Sequence, residues 1–60
     1  MDQRVVAALA QIVAAQARIE GMKAFNQHRV SVGESIGYDE QAFLNEAAGL
    51  EFLAQHLQNL

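Results

Sequence analysis

Between Gln3 and Arg29 the apolar positions recur every three or four residues, with no proline and a single glycine, Gly21, so this stretch predicts one long amphipathic helix. With successive residues about 100° apart, three stripes separate on it. Val5, Leu9, Ile12, Val13 and Ile19 form a bulky aliphatic face with Val6 at its edge. Ala7, Ala10, Ala14, Ala17 and Gly21 form a second face made only of small residues. Arg4, Gln11 and Arg18 form a polar line between the two, and Asp2 is placed to cap the helix.

Gly33 and Gly37 interrupt the pattern and predict a connection over about 30–38. A second helix is expected over about 39–58, with Asp39 as N-cap, Glu40 at the first helical position, and Tyr38 and Phe43 placed as a hydrophobic staple. Its main apolar stripe is Phe43, Ala47, Leu50, Leu53, Ala54, Leu57 and Leu60; Leu44, Ala48 and Phe52 make a narrower one. One hairpin partner covers one face of a helix, so two apolar faces on each helix imply a further chain. The expected fold is an all-α helix–loop–helix hairpin, one domain over 1–60, oligomerising as an antiparallel four-helix-bundle dimer or a higher symmetric oligomer. The expected interface is the small stripe Ala7, Ala10, Ala14, Ala17 and Gly21 together with Leu44, Ala48 and Phe52.

Composition strengthens this expectation. At 60 residues and 52% hydrophobic, with no cysteine, the chain lacks disulfides to compensate for a small core, and folded chains of this size bury only about 60% of their unfolded surface. The net charge of −3 is unevenly spread. Residues 1–30 hold Arg4, Arg18, Lys23 and Arg29 against Asp2 and Glu20, a balance of +2; residues 31–60 hold Glu34, Asp39, Glu40, Glu46 and Glu51 with no lysine or arginine, a balance of −5. The two halves attract, and half the molecule repels polyanions. The absence of cysteine makes a cytoplasmic location the default expectation. The apolar run after Arg4 is interrupted by Gln11 and Gln16, unlike a signal peptide. Arg18 and Glu20 arrive before the roughly 20 apolar residues of a membrane span are complete.

Few residues suggest chemistry. Glu46 falls inside the main apolar arc of the second helix, where an acid needs a partner; Lys23, Arg29 and Arg18 are the candidates for an ion pair. His28 and His56 stand apart without metal-motif spacing, and Ser31 and Ser35 have no partnered histidine, so neither a metal, a cofactor nor a catalytic residue is expected. Lys23, Asn26 and Arg29 share one region at the end of the first helix, close through the loop to Tyr38. That set suits a phosphate or a stacked base, and it is the leading candidate for a ligand or partner site.

The stretch from Glu20 to Arg29, followed by Gly33, Tyr38, Glu40 and Phe43, resembles small helical proteins encoded by bacteriophages and prophages. That resemblance implies a non-catalytic binding protein of the host cytoplasm: a host-directed inhibitor, an anti-defence protein, or a sequestering agent for a nucleotide-like anion. Asp39-Glu40-Gln41-Ala42 at the head of the second helix, with the heptad-spaced Arg4, Gln11 and Arg18, resembles the plasmid RNA-binding regulators of the Rop type. This second likeness implies a hairpin dimer binding RNA through Arg4, Gln11 and Arg18. A plain oligomerisation module is the third expectation.

Overall fold

The computed structural model describes residues 2–59. Among these, two helices account for nearly everything: α1 (Gln3–Ser31) and α2 (Glu40–Gln58), joined by an eight-residue connection and lying antiparallel. Both start where a carboxylate is available to take an orphan amide. Asp2 Oδ1 accepts from the Arg4 backbone N–H at 2.7 Å, and Asp39 Oδ1 accepts from Ala42 N–H at 3.0 Å.

α1 ends in a Schellman turn. Gly33 adopts φ +82°, its N–H donates to Val30 O at 3.0 Å, and the Glu34 N–H donates to Arg29 O at 2.8 Å. Glycine is required there because other residues resist that left-handed conformation. An ion pair, Arg29 Nη1 to Glu34 Oε2 at 3.0 Å, joins the two residues that in this motif often meet through apolar side chains. The helix runs through Ser31, past the expected end at Arg29, because the glycine that terminates it lies two residues after its last turn.

The seam follows a strict alternation of three and four. On α1, Ala8, Ala15 and Met22 are buried and Val5, Ile12 and Ile19 half-buried; on α2, Phe43, Glu46, Leu50, Leu53 and Leu57 are half-buried. This is the heptad spacing of a left-handed pair. The main stripe expected on α2 is corrected in two places. Ala47 and Ala54 are exposed, and Glu46 takes a seam position, because the contact line follows a period of 3.5 while the apolar arc is wider than one partner can cover. Leu60 lies outside the described residues.

The result is a sheet of protein one helix thick. Its Cα extents are 47 × 19 × 8 Å, whereas a stable domain packs two layers around a core. Ala8, Ala15 and Met22 are the only buried residues among those described. The chain exposes 4569 Å²; scaling of surface with mass gives about 3,900 Å² for a compact chain of this size. Roughly 700 Å² more than a compact monomer would show is therefore in contact with water.

Candidate binding surfaces

The two faces of this layer differ because the seam positions alternate in size. Placing residues about 100° apart puts Val5, Ile12 and Ile19 of α1 on the same side as Phe43, Leu50 and Leu57 of α2. Leu9 at 42% exposure and the exposed Ala47 and Ala54 extend that side. Ala8, Ala15, Met22, Glu46 and Leu53 turn towards the other side. One face is therefore bulky and aliphatic, while the other is hollow.

The hollow face carries a groove running along the helices in two adjoining sections of about 350 and 360 Å³ that share Gln11, Phe52 and Leu53. Its floor is Ala8 and Ala15, and its walls include Ala7, Ala14 and Gly49. The groove exists because these side chains end at Cβ or earlier. Phe52, 70% exposed, is the most exposed large apolar side chain among the described residues. Of the expected interface, Ala7, Ala14 and Phe52 line the groove, while Ala10, Ala17, Gly21, Leu44 and Ala48 lie exposed without lining it. Nothing within 4 Å would meet a Cβ built on Gly21 or Gly49.

Arg4, Gln11 and Arg18 all line this same groove, as their heptad spacing requires. Both arginines already face acids. Arg4 Nη2 lies 2.9 Å from Asp2 Oδ2, and Arg18 holds Glu46 in a two-pronged pair at 3.2 and 3.1 Å. The hydrogen bond that Arg18 donates to Glu46, and then the charge of Glu46, hold the Arg18 guanidinium above its usual range. The anomalous acid of the second helix thus has Arg18 as its partner, the third of the candidates named from the sequence. With side chains 58% and 24% exposed, the pair sets register more than stability.

The other expected site lies at the closed end of the hairpin. Asn26 Nδ2 donates to Tyr38 O at 2.8 Å, and its Oδ1 accepts from the backbone N–H groups of Gly37 at 3.0 Å and Tyr38 at 2.9 Å. One side chain therefore ties down the backbone that leads into α2. Arg29 Nε donates to Ser35 O at 2.6 Å while its guanidinium lies 5.5 Å from the Phe25 ring centre. Tyr38, expected to staple onto Phe43, meets Phe25 edge-on at 5.5 Å and 72°. A Cβ on Gly37 would run into that Phe25 ring, which is why the loop needs glycine there. Lys23 stands apart from this clasp, paired with Glu20 at 3.2 Å. The structure thus brings Asn26, Arg29 and Tyr38 together, but their polar groups serve the chain's own loop, and a ligand would compete with it.

Sequence reasoning missed Phe25 and all three buried residues, Ala8, Ala15 and Met22. Phe25 sits opposite the bulky aliphatic stripe, seven residues on from Arg18 along the polar line, and only the returning loop gives it a role. Ala15 was hidden among alanines, since spacing alone does not say which alanine meets the neighbouring helix. Among the described residues, no group of three or more His, Cys, Asp or Glu side chains is placed to hold a metal. By length and composition alone α1 could cross a membrane, with an 18-residue stretch of mean hydropathy 1.3. Comparison with family models, with curated proteins and with solved structures produced no match.

Proposed function

We propose that this protein is a non-catalytic, self-associating binding module of the cytoplasm, in which two hairpins bury their bulky faces against each other as an antiparallel four-helix bundle and leave their grooves outward for a partner. The observation that carries this reading is the one-helix-thick layer, in which Val5, Ile12, Ile19, Leu50 and Leu57 stay half-covered. Burying such side chains contributes about 25 cal/mol per Å² of apolar surface removed from water, and a second layer is the direct way to do so. The resemblance to small phage-encoded proteins favours a host protein or a small nucleotide-like anion as the outward partner. Sedimentation velocity with native mass spectrometry at micromolar protein tests the association. Twice the chain mass is expected, and a compact, cooperatively folding single chain refutes the reading.

A second reading, an RNA-binding hairpin dimer, is favoured by one observation: Arg4, Gln11 and Arg18 line a single groove with His56 beside them. Asp2 and Glu46 stand against it, because each neutralises one of the two arginines. RNA titration at low salt decides it. Affinity that falls steeply with salt and is lost in Arg18→Ala supports RNA; no binding at low salt removes it.

A further inference from the structure

We infer that the bulky face docks a second copy of this chain in one orientation: the two-fold axis runs along the hairpin, so that each α1 lies over the partner's α2 and both loops sit at the same end. This rests on the self-association through the bulky faces proposed above and adds the orientation of the two copies. The occupant follows from area. The surplus of roughly 700 Å² over a compact monomer approaches the approximately 800 Å² per partner of a standard stable interface.

The orientation follows from charge. Arg4, Arg18 and Glu46 line the groove, so the charges on the bulky side are Lys23 of α1 and Glu40 of α2; over its whole length α2 carries Glu40, Glu46 and Glu51 with no lysine or arginine, against four cations and Glu20 on α1. Two in-plane axes can bring the bulky faces together. An axis across the hairpin stacks α1 on α1 and α2 on α2, placing like charge over like charge, with the loops at opposite ends. An axis along the hairpin stacks the cationic helix on the anionic one twice; neighbouring helices are antiparallel under either axis, so charge is what separates the two.

Register sharpens the geometry. The Arg18–Glu46 pair fixes the level of the two helices, and five residues further along α1 Lys23 stands level with Gln41, next to Glu40. Lys23 and Glu40 both project from the bulky side by helical periodicity. An axis along the hairpin preserves level, so Lys23 meets the partner's Glu40. The same operation brings the two loop ends together on the side where Val30 and Ile36, 59% and 52% exposed, border a concavity of about 380 Å³.

The chain has no cysteine, so Ser35→Cys supplies a single spin-label position at the loop, and the distance between labels in the full-length dimer reads the orientation. Loops at one end give a separation within about 30 Å, two interaxial spacings plus the label arms. A separation near or above the 47 Å length of the hairpin overturns the orientation while leaving self-association standing. Absence of any dipolar coupling in a monomer overturns the proposed function as well. The face is read separately by sedimentation. Leu9→Glu is expected to weaken dimerisation at least tenfold and Ala14→Glu, on the groove side, to leave it within about threefold; the reverse order overturns the assignment of the face. Should Leu9→Glu lose helicity with its partner, the Ala14→Glu variant and the label distance still decide.

Discussion

The two sides of this hairpin are built from one heptad and end up chemically opposed. On one side the alternating seam positions carry valine, isoleucine, phenylalanine and leucine; on the other they carry Ala8, Ala15, Met22, Glu46 and Leu53, with Arg18 paired to Glu46 beside them. The helices, their capping carboxylates and their clasped loop are common to both. What separates the faces is side-chain volume at positions three or four residues apart, which turns one side into apolar surface seeking a cover and the other into a trough. A two-helix layer thus presents two chemically different faces without a third element.

The largest expected effect tests that division. Leu50→Ala, at a seam position of the bulky side that also borders the groove, should destabilise the folded protein by about 2–3 kcal/mol, read as a lower thermal midpoint and, in the proposed dimer, a weaker self-association constant. Asn26→Ala comes next. It removes three hydrogen bonds from the exposed clasp and should cost about 1–2 kcal/mol, with faster amide exchange at Gly37 and Tyr38 while both faces keep their composition. Gly49→Ala runs the other way: open space surrounds a Cβ there, so the helix should gain roughly 0.5–1 kcal/mol, read as a higher thermal midpoint, while the groove narrows. Phe52→Ala should change stability by less than about 0.5 kcal/mol, because the ring stands mostly in water. A loss comparable to that of Leu50→Ala would show that the groove side carries the assembly.

The smallest effect is a pH dependence common to both faces. Hydrogen bonds from the Arg4 side chain, and then from its backbone, hold the Asp2 carboxyl below its ordinary value. A carboxyl depressed in the folded state contributes stability that is fully present above its unfolded value and is lost as pH falls through the folded one. Fraying of the first turn should therefore increase in that acidic window, seen as a slight loss of helicity, and Asp2→Asn should flatten the dependence while keeping a cap.

Much of the framework could be read from residue pattern. Asp2 and Asp39 announce helix starts, because a short carboxylate before an apolar-periodic run has few other uses, and Gly33 announces a stop because only a left-handed residue closes that turn. The fate of Asn26 and Arg29 was not legible. Placed near a tyrosine on the sequence, they suit a ligand as well as a loop, and only the path of residues 34–38 shows their donors and acceptors occupied. The groove was half legible: the heptad line of Arg4, Gln11 and Arg18 was visible, but its floor and opposite wall come from Ala15, Gly49 and Phe52, which no local pattern connects.

By itself the sequence determined the two helices, their ends, the excess of apolar surface and the separation of charge between the halves, because each of these depends on neighbours within a few residues or on simple counts. The tertiary structure decided which alanines lie in the seam, that Glu46 pairs with Arg18, and that the loop end is a clasp. These depend on the phase of one helix against the other. A rotation of one residue, about 100°, exchanges seam for surface without changing any local preference, so the choice belongs to packing between the helices and cannot be made by either helix alone.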